Sequence, residues 1–108
     1  MIETIMLQAF QTLATAYMEE PENPPATYLT LRKIAGGRVN HIRTATIAVL
    51  SYGPTLEDAA ALNERVVQLA DGLGPGDGVF RVELNSDYEY TNLETKQYRY
   101  QAVLEVYY

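Results

Sequence analysis

Cysteine is absent from this 108-residue chain, and histidine occurs only once, at His41. Without cysteine there can be no disulfide framework, no thiolate nucleophile and no zinc or iron–sulfur site held by cysteine. A single histidine also excludes metal motifs that need two. We therefore predict no metal site and no bound cofactor.

The first twenty residues lack both a basic region and a continuous apolar run. They are apolar on one side only, so we predict neither a signal peptide nor a membrane span, and we expect a soluble protein made inside the cell. The chain length limits the protein to one domain, residues 1–108. Ile, Leu, Val and Phe make up a quarter of the residues, which is enough for a core.

The first element predicted is an amphipathic helix over residues 2–19, because apolar side chains recur there with helical spacing. The prolines that follow remove backbone donors and favour extended conformations, so residues 21–26 should be a stiff connector. Residues 27–52 then read as a β-hairpin with strands at 27–34 and 43–52. Its turn is expected at the Gly36–Gly37 pair and the residues after it.

A second helix is predicted over residues 56–72. Thr55 followed by Asp58 forms an acidic variant of the capping box, and apolar residues then recur at spacings of three and four. Four glycines make residues 72–78 a loop, and a second hairpin is predicted over residues 79–108, where Phe80, Val82 and Leu84 alternate with polar residues. The predicted fold class is α+β, in the order α-ββ-α-ββ. Its mostly antiparallel four-stranded sheet would carry both helices on one face.

No catalytic group stands out. A nucleophilic serine would need a base beside it, and His41 lies in a polar turn. The glycine-rich loop follows a helix and lacks the lysine of a phosphate-binding loop. The oxygen ligands of Asp87, Glu89, Asn92 and Glu94 do not have the spacing of a calcium loop. We predict that the protein is not an enzyme.

Charge is distributed unevenly along the chain, whose formal net charge is −6. Residues 26–56 contain no acidic side chain but four basic ones, Arg32, Lys33, Arg38 and Arg43. This basic hairpin could dock on an acidic protein, on a neighbouring copy or on a nucleic acid backbone, or it could simply be a solvated loop. The acidic chain as a whole argues against sequence-specific nucleic acid binding, although transient contact with DNA stays open.

Tyrosine is concentrated towards the C-terminus, where six of the nine follow residue 87. Tyrosine combines a large apolar surface with a polar tip, so it suits both half-buried sheet faces and interfaces. Tyr107 and Tyr108 follow a predicted strand and are candidates for contact with another subunit.

Residues 27–73 and 98–108 together resemble the tail terminator proteins of long-tailed bacteriophages, also called minor capsid or head–tail joining proteins. Shared features are a proline-containing lead-in, the Gly36–Gly37 pair after a strand, and a strand that ends in an aromatic residue and a turn of small residues. A helix that opens T-L-E-D-A and a final strand that begins Tyr-Arg-Tyr complete the pattern.

The resemblance implies a ring, typically a hexamer, on the head-proximal end of the tail tube. There it would stop tube growth and form the surface that joins the connector of the filled head. The implied partners are other copies of the chain, the tail tube protein and the connector, and the implied location is the virion tail, assembled in the cytoplasm of a bacterial host. The interface candidates are Gly36, Gly37, Arg38, His41, Arg43, Tyr107 and Tyr108. A small ferredoxin-like regulatory or ligand-binding domain is the alternative, because α-ββ-α-ββ is a circular permutation of that topology.

Overall fold

The computed structural model describes residues 1–108. The chain begins with a short helix and a two-residue strand. The elements are α1 (Ile2–Phe10), β1 (Ala16–Tyr17), β2 (Tyr28–Val39), β3 (Ile42–Tyr52), α2 (Leu56–Asp71), β4 (Arg81–Glu89) and β5 (Arg99–Tyr107). The strands form one sheet in the order β1-β2-β3-β5-β4. β1 runs parallel to β2, and every other neighbouring pair is antiparallel.

The predicted fold class, a four-stranded antiparallel sheet in the order α-ββ-α-ββ, is therefore wrong. The sheet has five strands and is mixed. The circular-permutation argument for a ferredoxin-like domain depended on the predicted order, so it no longer applies. The difference arises within residues 2–19, where the helix ends at Phe10 instead of continuing to residue 19.

Gln11 explains the early end of α1. Its side-chain amide donates to the carbonyl of Ala16 at 2.9 Å and accepts from the Ala16 N–H at 3.0 Å, so it pairs with the backbone as a neighbouring strand would. The Thr12 hydroxyl donates to the Ala9 carbonyl at 2.8 Å, a local bond that competes with helix continuation. The apolar residues after Phe10 thus serve a strand, although their spacing also fits a helix.

α2 begins as its sequence suggests. The Thr55 hydroxyl accepts from the Asp58 N–H at 3.1 Å and caps the first turn, and Glu57 and Asp58 place negative charge near the helix N-terminus. The helix spans Leu56–Asp71, one residue less than the expected 56–72.

The turn of the first hairpin lies further along the chain than expected. Asn40 and His41 have positive φ angles of 49° and 69°, the backbone of a two-residue type I′ turn between Val39 and Ile42. Gly36 and Gly37 lie inside β2, which continues beyond residue 34 through a bulge between Lys33 and Ala35.

Both helices cover the same face of the sheet. One cluster of 17 buried residues joins α1 and α2 to alternate positions of β2, β3 and β5. Its largest fully buried members include Met6, Phe10, Leu29, Leu31, Ile47, Val66 and Leu104. In β4, only Val82 of the expected stripe Phe80, Val82 and Leu84 is buried, and a bulge between Leu84 and Ser86 interrupts the alternation. Neither helix has the length and apolar character that crossing a membrane requires.

The other face of the sheet carries a small aromatic cluster instead of helices. The rings of Tyr28 and Tyr52 stack with centroids 4.2 Å apart and an interplanar angle of 5°, with Leu50 packed beside them. This cluster covers the part of the face nearest to the start of β2 and leaves the rest open.

Candidate functional site

The interface candidates predicted from the sequence lie at one end of the sheet, which we call the hairpin end. It holds the β2–β3 turn, the start of β4 and the end of β5. Gly36 pairs with Ala45, Gly37 with Thr44, and Arg38 with Arg43, while Tyr107 lies across from both Thr44 and Arg81. The strand register thus brings together residues that are almost seventy positions apart in the sequence.

Tyr107 is held by its own chain. The Arg81 guanidinium lies over its ring at 4.2 Å from the centroid, and the Tyr107 hydroxyl donates to Glu83 Oε2 at 3.4 Å. Arg81 Nε and Glu83 Oε1 form an exposed ion pair at 3.2 Å. One ring face is therefore occupied within the molecule, and Tyr107 stays partly exposed.

Tyr108 is tied to the hairpin in a similar way. Its N–H donates to the Arg43 carbonyl at 2.8 Å, and the Arg43 guanidinium lies 4.8 Å from its ring centroid. These two residues line a shallow groove with Lys33 and the first turn of α1. Stacking against tyrosine rings restricts Arg43 and Arg81, so both cations are presented in defined positions.

Gly36 and Gly37 allow side chains to pack closely above β2. A Cβ atom at Gly36 would lie 3.1 Å from Lys33 Cε, and one at Gly37 would lie 3.1 Å from Thr44 Oγ1. Neither glycine has a positive φ angle, so the pair contributes space and not a turn conformation. His41 occupies the exposed turn itself.

An apolar patch completes the hairpin end. Val39 and Phe80 expose 53% and 57% of their surface, and a groove beside them is lined by Ile42, Arg81 and Tyr107. We call these five residues the Phe80 patch. Large apolar side chains that remain exposed together are typical of surfaces that bind another molecule.

The two ends of the sheet differ in charge. The hairpin end carries Lys33, Arg38, Arg43 and Arg81, with Glu83 beside Arg81 and Glu3 in the groove beside Arg43. The opposite end is mainly acidic. Its charged residues are Glu19, Glu20, Glu22, Glu89, Glu94, Lys96 and Arg99. The molecule measures 43 Å along its longest axis.

The acidic end is fixed by a hydrogen-bonded group on the open sheet face. The Tyr28 hydroxyl donates to Glu20 Oε1, and the Gln97 amide donates to the Tyr28 hydroxyl at 3.1 Å. Burial raises the pKa of Tyr28 well above its usual value, and the bond to Glu20 raises it further. Burial also raises the pKa of Tyr52. These tyrosines anchor the connector that precedes β2.

The acidic residues near the β4–β5 turn are not gathered into one cluster. No three carboxylate or imidazole side chains come together anywhere in residues 1–108 in a way that could hold an ion. Asp87 accepts a hydrogen bond from the buried Asn63 amide at 2.8 Å, which ties β4 to α2. The Asn92 side chain accepts from the Glu94 N–H at 3.1 Å and shapes the turn.

The fold has a counterpart among solved structures. The chain is similar to one from the virion of a native gene transfer agent (GTA) particle. The TM-score is 0.72 at 13% sequence identity, and the match covers 98% of this chain and 92% of the other. At that identity the similarity establishes a shared fold. No protein-family model matches the sequence, and no curated protein matches it.

Phe80, Arg81 and Val39 are the residues of the hairpin end that the sequence did not single out. Phe80 was expected on the core face because it alternates with Val82, yet it precedes β4 and its N–H bonds to the Tyr107 carbonyl at 2.7 Å. Phe80 lies beside the first hairpin because β5 pairs with both β4 and β3, and nothing local in the sequence specifies the pairing of β5 with β3.

Proposed function

We propose that this protein is a structural component of a virion and that it acts by assembly. Copies of the chain would form a ring, typically a hexamer, on the head-proximal end of a bacteriophage tail tube. The ring would stop tube growth and present the surface that joins the connector of the head. The protein would act without catalysis or a cofactor, in the virion tail, after assembly in the host cytoplasm.

The observation that carries this proposal is a fold shared over almost the full length of both chains with a component of a GTA virion. The resemblance of residues 27–73 and 98–108 to tail terminators supports the narrower role. A ring that lies between two different partners needs two different ends, and the basic hairpin end and the acidic opposite end meet that requirement.

Self-assembly is tested by native mass spectrometry of the purified chain, alone and after mixing with a tail tube protein from the same genome. We expect a ring in at least one condition and, by electron microscopy, tubes of limited length with the chain at one end. A strict monomer that binds neither tube nor connector protein would overturn the proposal.

The hairpin end is tested by charge reversal. Arg38→Glu with Arg43→Glu should weaken docking to an acidic partner surface, most clearly at low salt, where exposed charges are least screened. Arg65→Glu is a suitable control, because Arg65 is an exposed cation on α2, away from the hairpin end. Equal docking of the double variant and the control would show that the basic hairpin is only a solvated loop.

A further inference from the structure

Two strand edges of the sheet are open, one on each side. β1 pairs only with Leu29 and Thr30, so from Arg32 to Val39 the side of β2 that faces away from β3 has no strand. β4 pairs only with β5, so its whole nine-residue length is an edge. The two open stretches are of similar length, about 25 to 30 Å at the rise of an extended strand.

The backbone of the β2 edge is directed outward and lacks a partner. The Tyr108 N–H donates to the Arg43 carbonyl, so the main chain of Arg43 faces β5. Arg38 lies directly across from Arg43, and in an antiparallel pair its main-chain groups must then point away from β3. The same holds two residues earlier for Gly36. These groups are available to bond another strand.

The β4 edge is equally open. The Tyr90 N–H donates to the Arg99 carbonyl at 2.8 Å, which turns the main chain of Tyr90 towards β5. The adjacent Glu89 therefore directs its N–H and carbonyl outward. The sheet thus has an open strand edge on each side, one formed by β2 and one by β4.

The two edges carry opposite charge. The β2 edge holds Arg32, Lys33 and Arg38 and no acidic residue. The β4 edge holds Glu83, Asp87 and Glu89 against a single base, Arg81, and all four side chains are exposed. Pairing of like edges would bring like charges together, whereas pairing of unlike edges would bring opposite charges together.

We propose that the β2 edge of one copy adds to the β4 edge of the next copy, so that the sheets of neighbouring subunits become continuous. This inference rests on the proposed function and assigns the surfaces through which the ring forms. Contacts between unlike edges are head-to-tail, and they close into a ring when the rotation per subunit permits. The exposed side chains of Ile34 and Leu84 lie along the two edges and would be covered by the neighbour.

The bulges give this pairing its specificity. β2 is interrupted between Lys33 and Ala35, and β4 between Leu84 and Ser86. A bulge twists an edge and disrupts a regular ladder, which discourages pairing with arbitrary strands. Only an edge with matching shape and charge would fit.

Cross-linking tests which edges meet. The chain has no cysteine, so Ile34→Cys at the centre of the β2 edge and Asn85→Cys at the centre of the β4 edge would each be a unique thiol. With a short bis-maleimide, we expect covalent dimers only when the two variants are mixed or when both cysteines are in one chain. Cross-linking of Ile34→Cys alone would indicate a two-fold contact between β2 edges and overturn the proposal.

Charge exchange provides the second test, read by native mass spectrometry at low salt. Arg32→Glu with Lys33→Glu, and Glu83→Lys with Glu89→Lys, should each reduce the ring at least tenfold. An equal mixture of the two variants should restore it, because every contact again joins opposite charges. Glu57→Lys with Glu64→Lys on α2 is the control matched in charge to Glu83→Lys with Glu89→Lys, since both residues are exposed and lie off the edges, and circular dichroism checks that all variants fold.

The outcomes separate this inference from the proposed function. A ring that forms normally but shows neither the mixed cross-link nor the charge exchange would overturn edge pairing and leave the proposed function standing. A chain that stays monomeric even with tube protein would overturn both.

Discussion

Gly53→Ala tests how β3 is joined to α2. A Cβ atom at Gly53 would lie 2.8 Å from the Ala59 backbone nitrogen, 2.9 Å from Asp58 Cβ and 3.0 Å from the Asp58 carbonyl carbon. Two of these three atoms belong to the backbone of the first turn of α2, so no side-chain rotation can relieve the contact. The helix start must move, although Ala59 is fully buried and has no space to move into.

The expected cost follows from these contacts. Forcing an extra methyl group into a packed site costs about 1–3 kcal/mol. Displacement of the first turn would also weaken the Thr55 cap, a loss of about 0.5–2 kcal/mol. The reduced freedom of the unfolded chain returns about 0.4–1 kcal/mol. We therefore expect a net destabilisation of about 2 kcal/mol, which for a domain of this size lowers Tm by roughly 10 °C.

The assay is urea unfolding followed by far-UV circular dichroism, with Gly76→Ala as the matched control. A Cβ atom at Gly76 meets nothing within 4 Å, so that variant should be as stable as the parent or slightly more so. If the two variants unfold at the same urea concentration with the same slope, close packing of Gly53 against α2 does not constrain the fold.

Three further predictions concern the cap, the core and the buried tyrosines. Thr55→Ala should lower the free energy of unfolding by about 0.5–2 kcal/mol in the same assay, and Thr55→Ser should restore most of it, since serine also caps; equal loss in both variants would argue against the cap. Leu104→Ala should cost about 2–5 kcal/mol in thermal unfolding, because Leu104 is fully buried in the middle of the sheet, and a Tm unchanged from the parent would contradict that placement. Since the folded-state pKa values of Tyr28 and Tyr52 are raised, their contribution to stability is complete below the unfolded value of about 10 and is lost as pH rises towards the folded values. Absorbance at 295 nm should therefore show a late step in tyrosine ionisation that is lost in the variant Tyr28→Phe with Tyr52→Phe, and a late step unchanged in that variant would refute this.

Local signals predicted α2 well because its determinants are local. The Thr55 cap and the apolar spacing lie within the helix itself, and the tertiary structure reinforces both. α1 differs, since the residues after Phe10 fit a helix by spacing and a strand by composition. Whether these residues continue the helix or leave it depends on the Gln11 side chain and on the pairing of β1 with β2. Apolar spacing alone contains neither interaction.

The candidate site was only partly predictable for a similar reason. Arg38, Arg43 and the terminal tyrosines stood out by charge and by composition, and β3–β5 pairing brings them together. The positive φ angles that make the turn belong to Asn40 and His41, whereas the glycines attracted the prediction. Asparagine and histidine adopt that backbone region more often than most residues other than glycine, so the Asn40–His41 pair was the missed signal.

The position of β5 has a consequence for biosynthesis. β5 follows every other strand in the chain, yet it lies between β3 and β4 and is the only strand that joins them. Until residues 99–107 have left the ribosome, β4 has no partner strand, and β3 is paired only on the side that faces β2. The sheet must therefore close after most of the chain has been made. During that interval the nascent chain displays strand edges that can pair with other chains, so it is most exposed to aggregation before its last residues are made.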